Sequence, residues 1–544
     1  MIQRGKRLRR LGLAGAAVLT GLMAGSAAAA TPTTLHVAAY GIPDALDPQL
    51  SYTTEGWSAM YDTYIPLLTY RHASGRDGSE IVPGLARSMP KVTNGGMTYT
   101  LFLRPGLRYS NGAPVRASDF RFAVERLFEL NSGGSPFYAV IAGAERFRRT
   151  GKGVIGGIAT NDRSGKIVIH LIRPQSTFLD LLAVPFAAPV PADTPALSQT
   201  QSPPPATGPY AIADVEPGVG WSYERNPEWE AHNGPSMPQL PGGHVDRIDI
   251  QVIGSGRDQV KQVEQGNQDL LLGQPPAAQL RGLRRRYGGT QFRAQTTLST
   301  YYFWMNTAKP PFDDLRVRRA VNLAVDRNAL SGIYGGGIAP TQQILPPDMP
   351  GYRRFALYPH NMAKARRLIA AADPADRDIT VWTDTEPGDR DASAYYRRQL
   401  QRLGFHAHLK TLGAIAYFTA IGSARTPDLD TGWGNWFADY AHPDDFFDPL
   451  LSGSSILRFN NGNFARADVP ALSAKIAALA RARMGATQER EYAALDRSYM
   501  KLAPWVPYGT GTWSTLVSSR VDLDKLVWNP LLGTDLASVE FRAG

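Results

Sequence analysis

The chain has 544 residues, more than one hydrophobic core usually holds, so two or three domains are expected. Hydrophobic residues make up 43% and charged residues 19%, proportions that exclude a disordered chain and a membrane bundle. The formal charge is +10 and cysteine is absent, which excludes disulfides, a thiolate metal site and a cysteine nucleophile.

The first element in chain order is a targeting signal. Arg4, Lys6, Arg7, Arg9 and Arg10 precede an apolar run from Leu11 to Gly25, which ends in Ser26-Ala27-Ala28-Ala29-Ala30. Basic, apolar and small residues in that order predict a secretory signal peptide over residues 1–30, cleaved near Ala30. The apolar run is short for a membrane span. Setting aside those five basic residues halves the charge to +5, a value that suits solubility and leaves no nucleic-acid footprint. A lipoprotein anchor needs a cysteine at the cleavage point, so a freely diffusing periplasmic protein is expected.

Thr33 to Tyr40 reads as a strand and Pro43 to Pro48 as a loop. Gly56 to Tyr70 reads as helix until Pro66. Met97 to Arg104 alternates apolar and polar residues as a half-buried strand does. Asn111-Gly112 predicts a turn, and Ser118-Asp119 a cap for a helix reaching Leu130. Lys166 to Ile172 is a further strand. Eight prolines between Pro185 and Pro209 predict a stiff extended crossing between domains, not a packed element.

Strands follow at Tyr210–Val215 and His244–Ile253, and a helix at Arg257–Gln265. Phe292 to Asn306 is extended, and Asp314 to Tyr334 carries a helical pattern. Strand Ile379–Thr383, helix Ala392–Leu403 and strand His406–Thr411 predict a β-α-β unit. Late helices are expected near Val469–Met484 and Thr487–Leu502. Strands alternating with helices imply an α/β architecture with more than one sheet.

Several enzyme signals fail on context. Gly151-Lys152-Gly153-Val154-Ile155-Gly156 spells a dinucleotide fingerprint, but these glycines precede a turn and a strand instead of opening a helix. His406 and His408 lie two apart on a strand, and without further ligands they read as a solvated face, not a zinc site. No Walker loop, H-E-x-x-H or G-x-S-x-G motif is present.

The segment Trp433 to Asp448 gathers Trp433, Trp436, Phe437 and Tyr440 around Asp439, Asp444, Asp445 and Asp448. One reading is a ligand site, with aromatics supplying apolar contact and a carboxylate fixing a cationic group. The other is a buried core whose acids cap the loop beside Pro443. Composition leaves both open.

An ordered set of motifs carries a family resemblance. Ile81–Ser88 (IVPGLARS), Met97–Asn111 (MTYTLFLRPGLRYSN) and Gly112–Leu127 come first. Thr207-Gly208-Pro209-Tyr210, Arg225-Asn226-Pro227 and Pro311-Phe312-Asp313-Asp314 follow. Then come Val317–Ala320, Ala324–Arg327, Trp433–Phe447 and Ala503–Pro507. Together they resemble the solute-binding proteins of family 5, the oligopeptide- and dipeptide-binding components of ABC importers.

That resemblance implies a two-lobed α/β fold of the periplasmic-binding-protein type (type 2, cluster C), with an extra α/β domain inserted in the first lobe. Lobe one would use residues 31–52, 188–298 and 506–544, the insertion 53–187, and lobe two 299–505. It implies capture of a di- or oligopeptide by hinge closure and delivery to a membrane permease with its ATPase. The protein would act as a monomer, with no catalysis, cofactor, metal or nucleic acid. Nickel chelates, haem, opines, sugars and cell-wall fragments are alternative ligands within the family, and an exported hydrolase or a sensor is the alternative outside it.

In peptide-binding members an aspartate shortly before a proline-aspartate pair holds the ligand's ammonium group, and Asp439 matches it. Arg390 is the candidate for a ligand carboxylate, since arginine's planar fork suits one. Trp433, Trp436 and Tyr440 are the candidate aromatic contacts beside Asp439. Tyr301 and Trp304 lie near the crossing into lobe two, where alternation lets only one strand face line a cleft.

Overall fold

A computed structural model describes residues 33–197 and 202–543, so the expected signal peptide lies outside the described residues. Three principal sheets organise the chain. The first runs in the order Leu270–Leu272, Thr34–Ala39, Arg247–Val252, Gly220–Arg225, Tyr210–Glu216. Thr34–Ala39 is parallel to both of its neighbours. Its Leu35 and Val37 are fully buried, as expected for a strand flanked on both sides.

The second sheet is antiparallel, in the order Lys91–Thr93, Thr98–Phe102, Lys166–His170, Ile158–Asn161. Lys166–His170 buries Ile167 and Ile169 and turns its other residues outward, matching its alternation. Those isoleucines share one core with Phe120, Val124 and Leu127 of helix Ala117–Glu129. Asp119 starts this helix differently from expectation. Its carboxylate reaches back to accept the Arg116 N–H at 2.8 Å, while the Ser118 hydroxyl turns to Asp162 at 2.9 Å.

The largest sheet has seven strands. Trp505–Leu516 pairs with Phe292–Thr296 at one end and Ser299–Met305 at the other, and Ile338–Pro340 also joins it. Beyond Ser299–Met305 come Thr431–Phe437, Asp378–Thr383 and His406–Thr411. Asp378–Thr383, helix Pro387–Arg402 and His406–Thr411 form the expected parallel β-α-β unit. His406 and His408 both lie on its solvent face.

Three further local expectations change, each for a physical reason. The pattern at 314–334 splits into helices Leu315–Ala324 and Arg327–Ile333, because Asp326 caps the second by accepting the Asn328 N–H at 2.9 Å. The helix expected through Pro66 stops at Tyr61; a residue before proline avoids helical geometry, and the Ile65 N–H is taken by Thr207 Oγ1 instead.

Among the described residues, the two ends of the proline-rich segment (185–191 and 204–209) are packed, not exposed spacers. Phe186, Ala187, Ala188 and Val190 are fully buried. Proline brings no N–H to satisfy, and side-chain donors serve the carbonyls: Gln49 on Ala188, Arg126 on Pro195 and Tyr64 on Pro204.

A buried ion pair ties the second sheet's helix to the chain after the first strand. Arg126 donates to both oxygens of Asp47, at 2.8 and 2.6 Å, with both side chains wholly shielded. Among the described residues no helix is long and apolar enough to cross a membrane.

Candidate functional site

A cleft opens where the end of strand Thr431–Phe437 faces the start of helix Thr54–Tyr61. One wall is built by Asp44, which pins the loop ahead of that helix. Its carboxylate accepts from the Ser51 hydroxyl, the Tyr52 N–H and the Thr53 hydroxyl at 3.0, 2.6 and 2.8 Å. Thr53 then caps the helix by accepting the Gly56 N–H. Gly56 must be glycine here, since a Cβ would lie 1.8 Å from Ser51 Oγ and 2.5 Å from Asp44 Oδ1. The pinned loop sets Tyr52 against Trp57 and Phe186, with ring centroids 6.0 and 5.3 Å away.

The opposite wall is the strand end Phe437-Ala438-Asp439. Ala438 N–H donates to Leu298 O at 2.9 Å, and Asp439 N–H donates to Asp445 Oδ2 at 2.9 Å. Trp436 Nε1 donates to the same oxygen at 3.0 Å. Asp445 therefore shapes the turn that presents Asp439. Burial raises the proton affinity of both acids; the Tyr52 hydroxyl, hydrogen-bonded to Asp439, pulls the latter back down. Asp445 is held well above the carboxylate range by burial first and by the Asp439 charge second. Asp439 is thus the member of the pair that carries negative charge into the cleft.

Around Asp439 lies a cavity of about 330 Å3 bordered by Tyr52, Glu55, Trp57 and Phe437. A second cavity of about 250 Å3 adjoins it, and Thr54, Glu55, Phe437, Ala438 and Leu531 border both. The backbone adds a further feature. Thr431–Phe437 pairs along its whole length with Ser299–Met305, yet meets Asp378–Thr383 only at Thr431 and Gly432. The other edge of residues 433–437 carries no neighbouring strand among the described residues.

The structure brings together Asp439, Trp436, Tyr440 and Tyr301 and separates the rest. Tyr440 lies at the same turn, edge-on to Phe137 at 6.2 Å. Tyr301 packs against Phe437 at 6.1 Å and Tyr508 at 6.3 Å. Trp433 and Trp304 are core residues, 2% and 0% exposed. Trp433 Nε1 donates to the Tyr508 hydroxyl at 3.0 Å, and its carbonyl accepts from Trp304 Nε1 and the Tyr417 hydroxyl. Arg390 is half exposed beside Asp391 in the first turn of helix Pro387–Arg402. The group its helix turns inward is Asp389, which accepts from the Tyr334 hydroxyl at 2.7 Å.

Tyr52, Phe437, Trp513 and Trp528 line the two cavities without having been named as ligand contacts from sequence. Only Phe437 had a local signal, its place in the aromatic segment. Asp62, His72 and Asp535 form a compact group that could hold a metal ion, but they lie at the buried junction beside the first sheet. His72 Nδ1 is 2.7 Å from Asp535 Oδ2. Burial holds His72 down to about 4 and raises Asp535 to about 7. Burial also raises Asp62, and the neighbouring Asp535 charge adds to that rise.

Residues 80–457 match the sequence model described as bacterial extracellular solute-binding proteins, family 5 Middle. Heme-binding protein A of Haemophilus influenzae is 25% identical over 473 residues, covering 82% of each chain. The protein named probable di/tripeptide-binding protein 5 of Pseudomonas aeruginosa is 24% identical over 475 residues, covering 81% of this chain and 84% of its own. Among solved structures, clavulanic acid biosynthesis oligopeptide binding protein 2 shares the fold with a TM-score of 0.83 at 27% identity, covering 94% of this chain and 95% of its own.

Proposed function

The chain belongs to the family 5 bacterial extracellular solute-binding proteins, and from that premise we propose that it captures peptides bearing a free amino terminus. The observation that carries this reading is Asp439, a carboxylate desolvated at a cleft wall with one neutral hydroxyl as its side-chain partner. An ammonium group completes such a site, through a charge-assisted hydrogen bond worth about 1.5–3 kcal/mol.

The edge of residues 435–437, which carries no neighbouring strand among the described residues, supports strand-like pairing with the peptide backbone, which gives affinity with little side-chain selectivity. The aromatic walls from Tyr52, Trp57 and Phe437 shield the ammonium pair from water. A relative is named for di- and tripeptides and a similar structure for oligopeptides, and both names accord with this reading.

In the proposed cycle, lobe one (residues 31–52, 188–298 and 506–544) with its insertion (53–187) closes on lobe two (299–505) over the ligand. The closed monomer docks on a membrane permease whose ATPase supplies the work, and it catalyses nothing itself. Export by a signal peptide cleaved near Ala30 would place it in the periplasm.

Thermal unfolding against di- to pentapeptides and their N-acetylated forms tests the proposal. Free peptides should raise the midpoint, by about 2.7 kcal/mol of stability at a hundredfold excess over the dissociation constant. Acetylated peptides should not. Equal stabilisation by both would defeat the Asp439 assignment.

A further inference from the structure

The second cavity beside Asp439 plays no part in holding the ammonium group, and its chemistry is different. Leu272, Leu298, Phe437, Trp513, Trp528 and Leu531 supply most of its wall. Trp513 and Trp528 stack with ring centroids 6.4 Å apart. Among the described residues, the only charged one on its border is Glu55, exposed in the first turn of helix Thr54–Tyr61.

Three parts of the fold meet there: the edge strand Leu270–Leu272, the long strand Trp505–Leu516, and the segment from Trp528 to Gly533. The volume, about 250 Å3, exceeds the roughly 150 Å3 at which an apolar cavity already accepts benzene.

Its position decides what could enter. The cavity shares Phe437 and Ala438 with the Asp439 cavity, and these are the residues immediately before Asp439. A group bonded to the carbon next to the ammonium is the part of a ligand that lies nearest this shared wall.

We propose that this chamber is a selective subsite for a bulky apolar or aromatic first side chain, so that the preferred ligands are peptides beginning with phenylalanine, tryptophan or leucine. The inference rests on the ammonium-binding reading above and adds a substrate class to it. An acidic first residue is disfavoured twice, by desolvation among the indoles and by the charges of Glu55 and Asp439.

The test is titration calorimetry of the full protein with tripeptides X-Ala-Ala, where X is Phe, Trp, Leu, Gly or Asp, each free and N-acetylated. Phe, Trp and Leu peptides should bind about ten- to a hundredfold tighter than the Gly peptide, the affinity equivalent of burying one such side chain. The Asp peptide should be weakest. Leu272→Trp, which fills the chamber from a half-buried edge position, should erase the preference while leaving Gly-Ala-Ala affinity unchanged. Free peptides binding within threefold of one another whatever X is would overturn the chamber and leave the ammonium site standing. No binding by any peptide, or equal binding by acetylated ones, would overturn the ammonium site and the chamber with it.

Discussion

Asp47 and Asp439 are the same residue type, both removed from water, and their surroundings make them opposites. Asp47 meets both guanidinium nitrogens of Arg126, and the Gln49 N–H donates to it as well at 3.0 Å. Asp439 has the neutral Tyr52 hydroxyl and, behind it, a second acid, Asp445, whose own ionisation the Asp439 charge opposes. A carboxylate whose counter-charge is built into the chain fastens two parts of the fold together. In our proposal, one whose counter-charge is missing reserves the place for a ligand.

The largest effect should come from breaking the fastened side. Arg126→Met leaves Asp47 buried and uncompensated, at a cost of about 3–5 kcal/mol, read as a lower urea midpoint with an unchanged slope. Asp439→Asn should do the reverse. Stability should hold or rise slightly, since a desolvated charge is removed, while affinity for free-amine peptides falls about ten- to a hundredfold. A variant at Asp439 that unfolded the protein, or one at Arg126 that spared it, would erase the distinction between the two sites.

Acidity sharpens the contrast next. Only the ionised form of Asp439 attracts an ammonium group, and burial raises its proton affinity to about 6. As pH falls below that value, protons compete with ligand, and affinity should drop by up to about tenfold per unit. Above about pH 8 the peptide's own ammonium deprotonates and affinity falls again. The acid limb should vanish in Asp439→Asn, as calorimetry across pH 4.5–9 would show. The smallest effect belongs to Tyr52→Phe. Losing a hydrogen bond to the charged form costs about 1 kcal/mol, so the acid limb should move to higher pH and affinity at pH 6 should fall several-fold.

Much of the fold was legible because alternation and β-α-β spacing are local properties. Asp439 was singled out by the family resemblance, through its place four residues before Pro443-Asp444, and the structure sets it on the cleft wall. The aromatic segment shows where local reading stops. Trp433 and Phe437 share one strand face, yet Phe437 is 42% exposed in the cleft and Trp433 is 2% exposed. Tyr417 and Phe418, from helix Ala414–Ile421, cover Trp433 at 6.2 and 6.1 Å, and nothing in the period of the strand announces that helix.

Arg390 lies apart from the cleft for a related reason. Pro387 starts its helix earlier than the apolar pattern suggested, which puts Arg390 on a solvent-facing first turn. Trp513 and Trp528 were illegible because they join Phe437 only through the crossing of distant strands.

The long strand Trp505–Leu516 leads into a last stretch of chain that returns to the first sheet. Val521, Leu523, Leu526, Leu536 and Val539 pack into one core with Leu35 and Val37 of the opening strand. That core is begun first and can be completed only after everything between has been made. Closing so long a loop precedes the contacts that reward it, so this part of the molecule should be the slowest to form and the longest exposed. Deleting the stretch after Leu516 should therefore leave the seven-stranded sheet largely intact and the first sheet without its partner surface.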